Sequence, residues 1–181
     1  MAAGAGVAGV KRHVVLVGLP GSGKSTVGRL AARELGAPFV DLDEWIEQEQ
    51  GQSVRSLFAG LGETAFRQLE RAAMRRALAG KPAVVAPGGG WAAQPGALEE
   101  SRPGAFIIYL VVPAQVAERR CGPAGSRPLL AGGTVRERLA VLYEERAPFY
   151  ERADVVVSNA ADTPDVVARL IADLSRRMAG W

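Results

Sequence analysis

The sequence predicts an α/β fold in which a parallel sheet is covered by helices. Short apolar runs rich in Val, Ile and Leu alternate with stretches of helical periodicity along the whole chain. A glycine-rich turn, Gly18 to Thr26, links the first apolar run to the first periodic stretch. The 181 residues suit one α/β domain, and a hydrophobic fraction of 48% fills one sizeable core.

His13 to Val17 is the first strand. Val27, Leu30, Ala31 and Leu35 recur at helical spacing from Lys24 to Leu35, and Gly36 closes that helix. Phe39 to Leu42 reads as the second strand, followed by a short helix from Glu44 to Gln50 that Gly51 stops. Ser53 caps a helical stretch, and a longer helix runs from about Glu63 to Ala79. Ala83 to Ala86 is the third strand. Phe106 to Val112, unbroken and β-rich, reads as a fourth strand buried on both faces. A helix follows from Ala114 to about Arg120, then an aperiodic Gly/Pro-rich loop from Cys121 to Gly133. Thr134 and Glu137 form a capping box for a helix expected to break near Pro148. Val155 to Val157 is the fifth strand, and Thr163 with Pro164 opens the last helix.

Composition narrows the function. The net charge is only +3, with no long Lys/Arg run and no aromatic-interleaved basic patch, so a nucleic-acid partner is not expected. Anionic small substrates account for the same bias. No apolar run reaches membrane-spanning length. The sole histidine, His13, leaves no His/Cys cluster for zinc, and the single cysteine, Cys121, has no internal disulfide partner. A reducing cytoplasm is the expected location. Residues 1–11 read as a flexible Ala/Gly-rich tail, because Lys11 and Arg12 follow its apolar part and a signal peptide has the opposite order. Residues 12–178 then form one domain.

Gly18-Leu19-Pro20-Gly21-Ser22-Gly23-Lys24-Ser25-Thr26 fits GxxxxGK[ST]. Its glycines let backbone N–H groups wrap phosphates, and the helix that follows offers its positive end to the anion. Gly21, Ser22, Gly23 and Thr26 belong to this cradle. Lys24 reaches the β- and γ-phosphates, and the Ser25 hydroxyl ligates Mg²⁺. The chain has no Asn/Thr-Lys-x-Asp guanine signature, which favours ATP.

Other residues bear on what accepts the phosphate. Asp41 and Asp43 flank Leu42 at a strand end, where one carboxylate could face Mg²⁺ and the other a substrate hydroxyl. The alternative is two solvated acids, with Asp43 capping the next helix. Arg67 and Glu70 share a helix face, either as a held guanidinium fork for a carboxylate or as a surface ion pair. Gly88, Gly89 and Gly90 follow the third strand; they mean positive φ, close ligand approach, or a loose turn. Arg120 and Arg127 bracket the Gly/Pro-rich loop, and Arg146 precedes Pro148. Arginines so placed suit a phosphoryl-transfer lid at about residues 121–133, or are solvated surface.

The phosphate loop, Asp41-x-Asp43, Gly62-Glu63 with Phe66-Arg67-x-x-Glu70, the triple glycine, Arg127-Pro128-Leu129-Leu130 and Arg146-Ala147-Pro148-x-Tyr150 occur in that order. Together they resemble shikimate kinase, over nearly the whole chain from about Val14 to Pro164. The resemblance implies a P-loop NTPase fold of the nucleoside monophosphate kinase type, with a five-stranded parallel sheet flanked by helices. It also implies transfer of the ATP γ-phosphate to the 3-hydroxyl of shikimate. By the family pattern, Asp43, Arg67, Arg146 and Gly88 to Gly90 bind shikimate. Arg120 and Arg127 act on the nucleotide side, and Asp41 helps hold Mg²⁺ through water. Ser158 to Pro164 contacts adenine, without the arginine some members carry there. Two further departures are Leu42, where the family usually has Ser or Thr, and Ala86, where many members carry a Ser near the metal.

Lys24, Mg²⁺ on Ser25, and Arg127 are thus expected to stabilise the transferring phosphoryl group, with Asp43 orienting the hydroxyl and accepting its proton. Gluconate kinase or another small-acid kinase on the same fold is the alternative, since Arg67 and Arg146 suit any carboxylate. ATP and shikimate are the expected partners of a monomer. Lys24→Ala should abolish phosphoryl transfer while the far-ultraviolet circular dichroism stays that of the parent; near-normal kcat in the folded variant would remove the central assignment.

Overall fold

A computed structural model describes residues 10–121, 134–160 and 162–181. Arg127, most of the expected lid and nearly all of the N-terminal tail lie outside the described residues. The chain runs through β1 (His13–Val17), α1 (Lys24–Leu35), β2 (Phe39–Asp41), α2 (Leu42–Gln50), α3 (Val54–Leu78) and β3 (Val84–Ala86). A 3-10 turn (Trp91–Ala93) leads to α4 (Ala97–Ser101), β4 (Ala105–Val111) and α5 (Ala114–Cys121). The remainder is α6 (Val135–Tyr150), β5 (Val155–Ser158) and α7 (Pro164–Met178).

The five strands lie in the order β2-β3-β1-β4-β5, and each pairing is parallel. The connection after β1 runs outward to β2, and the one after β4 runs outward to β5. Connections that leave two neighbouring strands in opposite directions open a crevice at their carboxyl ends. The phosphate loop leaves β1 at that crevice.

Alternation along the strands builds two cores. Val15 and Val17 of β1, with Ile107 and Tyr109 of β4, pack against Ala73, Met74 and Ala77 of α3 and Leu139, Leu142 and Tyr150 of α6. Val14 and Leu16, with Phe106, Ile108 and Leu110, pack against Val27 and Ala31 of α1 and Val167 and Ile171 of α7. Each fully buried aliphatic or Phe side chain stabilises by about 1.5–3 kcal/mol relative to leaving it exposed. β4 is therefore buried on both faces, as its unbroken apolar run predicts.

Two local expectations change, and one that α3 tests is met. α6 does not break at Pro148; the helix continues to Tyr150. Pro148 lacks only the N–H that would bond to Glu144, and the Glu151 N–H still reaches the Ala147 carbonyl at 2.9 Å. α3 meets its expectation: it is interrupted at Gly62 (φ 80°, ψ 167°), which separates the Ser53-capped segment from the one expected from about Glu63. β2 ends at Asp41, and Leu42 enters α2 as a buried core residue. The capping box at Thr134 and Glu137 is present, with bonds of 3.0 and 3.2 Å. Among the described residues, no helix is long and apolar enough to cross a membrane.

His13 opens β1 and is 4% exposed. Its Nδ1 accepts the Ala83 N–H at 3.3 Å, and burial holds its pKa below the ordinary 6.5. The unfolded chain takes up this proton first, so stability is lost as pH falls below the unfolded value. Between about pH 7.5 and about pH 5.5, His13→Gln should lose less Tm than the parent; parallel curves would show that His13 is not the acid-sensitive group.

Candidate active site

The phosphate loop turns on Gly21 (φ 79°) and Gly23 (φ 91°), left-handed conformations that favour glycine. α1 then starts at Lys24 and directs its positive end toward the loop. The Lys24 ammonium donates to the Gly18 and Leu19 carbonyls at 2.9 and 3.1 Å. The Ser25 hydroxyl lies 2.5 Å from Asp41 Oδ2.

Two cavities meet at this point. One, of about 390 Å³, is lined by Gly21, Gly23, Thr26, Arg120, Asn159 and Pro164. The other, of about 340 Å³, is lined by Asp41, Asp43, Phe58, Arg67 and Gly88 to Gly90. Lys24 and Ser25 line both. A group passed from one cavity to the other crosses beside a cation and a hydroxyl.

The second cavity is built by α2, α3 and the loop after β3. Asp41 ends β2 and is itself the N-cap of α2, with Oδ1 accepting the Glu44 N–H at 3.4 Å. Asp43 lies inside the first helical turn and is neither a cap nor on the strand. The two carboxylates thus reach one cavity from a strand end and a helix start. Arg67 donates to Glu70 Oε2 at 2.8 Å and to Glu63 at 3.1 Å. Glu70 is 0% exposed, so the pair is no surface ion pair. Gln94 donates to the same Glu70 oxygen at 2.6 Å. Burial pushes the Glu70 carboxyl up to about 7, against the opposing pull of Arg67 and with help from the Asp43 charge.

None of the three consecutive glycines has positive φ. Close approach explains them instead. A Cβ on Gly88 would lie 2.6 Å from Glu70 Oε1 and 3.0 Å from Asp43 Oδ1. One on Gly90 would lie 2.7 Å from Arg67 Cζ, and one on Gly89 3.1 Å from Pro20 Cδ.

Arg146 is placed differently from Asp43. It is buried on α6, its Nη1 has no partner among the described residues, and it lines an adjoining cavity of about 580 Å³ with Arg67 and Gly90. Ser22 is fully buried and lines neither of the first two cavities. Cys121 is buried beneath the loop, where a Cβ on Gly21 would meet its Sγ at 2.8 Å. Gln94 and Tyr150 have structural partners that no spacing announces. The Tyr150 hydroxyl donates to the Gly89 carbonyl and so ties α6 to the glycine loop. Its sequence signal is its place in the Arg146-Ala147-Pro148-x-Tyr150 motif, which does not reveal the partner.

Among the described residues, no cluster of three or more His, Cys, Asp or Glu side chains is placed to hold a metal. The donors near Lys24 are the Ser25 hydroxyl and the Asp41 carboxylate. Hard oxygen donors in that small number fit Mg²⁺, which takes one or two protein ligands and completes its shell with phosphate and water.

A family model described as shikimate kinase matches residues 20–175. A shikimate kinase of Mycobacterium marinum is 41% identical over 158 residues, covering 87% of this chain and 85% of that relative. The chain belongs to the shikimate kinase family. The solved structure of Acinetobacter baumannii shikimate kinase in complex with shikimate matches with a TM-score of 0.88 at 30% identity, covering 92% of this chain and 94% of that one. A gluconokinase from Sinorhizobium meliloti matches with a TM-score of 0.64 at 21% identity, covering 94% of each chain, a likeness of fold alone. Against the shikimate kinase pattern, Leu42 spends its apolar side chain on the core, and Ala86 lines the acidic cavity without an oxygen to offer a metal.

Glu70 carries the clearest electrostatic signature. Its folded pKa lies above the unfolded value, so its contribution to stability is present below about 4.5 and is lost as pH rises through about 7. Glu70→Gln should therefore remove part of the Tm loss that the parent shows between about pH 5 and about pH 8. An unchanged slope would mean that Glu70 is already ionised throughout.

Proposed function

We propose that this protein transfers the γ-phosphoryl group of ATP to the 3-hydroxyl of shikimate. The carrying observation is the pair of cavities that share Lys24 and Ser25. ATP occupies the cavity of the phosphate loop, with Arg120 and Pro164 beside the base. Shikimate occupies the cavity of Asp43, Arg67 and the three glycines.

Phosphoryl transfer is mainly positioning and charge stabilisation. Lys24 meets the charge that develops on the transferring group, and Arg120 and Arg127 meet the nucleotide. Asp43 orients the 3-hydroxyl and accepts its proton. Arg67 holds the shikimate carboxylate with a fork that Glu70 and Glu63 keep in place, and Arg146 approaches from the adjoining cavity. Ser25 and Asp41 would hold Mg²⁺, which neutralises phosphate charge when bound.

A coupled ADP-release assay separates the candidates: shikimate should drive turnover well above gluconate, nucleoside monophosphates or water. Arg67→Lys should then lose about 2–5 kcal/mol of transition-state binding, because a point charge cannot reproduce the two parallel bonds of the fork. That is a fall of about 30-fold to several thousand-fold in kcat/KM for shikimate, with ATP affinity little changed. An analogue lacking the carboxylate should barely distinguish parent from variant. If the variant discriminates against it as strongly as the parent, Arg67 does not read the carboxylate.

A further inference from the structure

Asn159 follows β5 and is 2% exposed. Its position is fixed by the backbone: its N–H donates to the Val111 carbonyl at 3.0 Å, at the end of β4. Its side-chain Nδ2 then donates to the Ser22 carbonyl at 2.8 Å. A Cβ on Gly23 would lie 2.6 Å from that nitrogen, so the amide packs closely against the loop. The Asn159 main-chain carbonyl accepts Arg120 Nη1 at 3.0 Å. One residue thus joins the phosphate loop, the ends of β4 and β5, and an arginine of the nucleotide cavity.

The Ser22 carbonyl and the Gly23 N–H belong to one peptide unit. In a trans peptide these two groups point in opposite directions. Holding the Ser22 carbonyl back against Asn159 aims the Gly23 N–H the other way, toward the nucleotide cavity that Gly23 lines. Without such a hold, a glycine at φ 91° leaves that peptide free to rotate at little steric cost.

We propose that Asn159 is a positioning residue for phosphoryl transfer: its side-chain amide locks the Ser22–Gly23 peptide so that the Gly23 N–H faces the nucleotide phosphates. The proposal rests on the nucleotide reading of this cavity. Asn159 contacts no reacting atom; it acts through the loop.

The test compares Asn159→Asp with Asn159→Ala, measuring ADP affinity by calorimetry, both KM values and Tm. Asp keeps the volume but replaces the donor with an oxygen that faces the Ser22 carbonyl. Ala removes the donor and leaves that carbonyl unpaired, a loss of about tenfold in ADP affinity. The Asp variant should bind ADP more weakly than the Ala variant at neutral pH. It should recover as pH falls, because a protonated carboxyl donates again. The KM for shikimate should stay at the parent value in both. A residue that merely fills space would rank the variants in the reverse order, with no pH rescue, and that result overturns the proposal. So does an equal rise in both KM values. If the Asp variant does not fold, the Ala variant decides alone: weaker ADP binding with unchanged shikimate KM supports the lock, and parent-like ADP binding sinks it. A parent protein that binds no ADP would instead defeat the nucleotide reading itself.

Discussion

Glu70 has no exposure to solvent, and a carboxylate there is tolerated only if charge and hydrogen bonds meet it. Arg67 and Gln94 supply both, from the same helix and from the turn after the glycine loop. Much of the acidic cavity follows from that requirement. Gly88 must lack a side chain because Glu70 and Asp43 stand against it, and Gly90 because the Arg67 guanidinium lies over it. Breaking such a buried pair from one side costs about 3–5 kcal/mol, so the wall of the cavity is also part of the fold. Arg67 is thereby held between Glu70 and Glu63.

Topology supplies the other half of the site. β1 and β4 lie side by side and send their chains in opposite directions, so the phosphate loop and α5 open toward the same crevice. The start of α1 brings a positive helix end there together with Lys24 and Ser25. Asp41 and Asp43 arrive from the outer strand β2 and its helix. The buried side-chain bond from Asn159 to Ser22 spans 137 residues of sequence, which shows how far the loop depends on distant chain.

Particular residues mark where the sequence was a good guide and where it was not. The β4 run was readable because a strand buried on both faces must be apolar at every position. The capping box at Thr134 was readable because its two bonds are local. Pro148 was misleading: proline removes one helix bond, but so near a helix end only Glu144 loses a partner. Asp41 and Asp43 read as flanking Leu42 at a strand end, whereas a cap and a first helical turn bring the two together. Whether Arg67 and Glu70 form a surface pair or a buried one depends on what packs over them, and spacing on a helix carries no such information.

The sequence by itself determined the alternating α/β order, the phosphate loop, and the ordered motifs that identify the family. These are local: periodicity, turn chemistry and residue spacing act over a few neighbours. Only the tertiary structure decided that Glu70 is wholly buried, that three glycines serve close approach and not positive φ, that Tyr150 ties α6 to Gly89, and that Asn159 grips Ser22. Each of those facts is a contact between segments far apart in the chain. Burial and long-range hydrogen bonds belong to the packed molecule, because neither side of such a contact has a partner until the sheet has brought the two together.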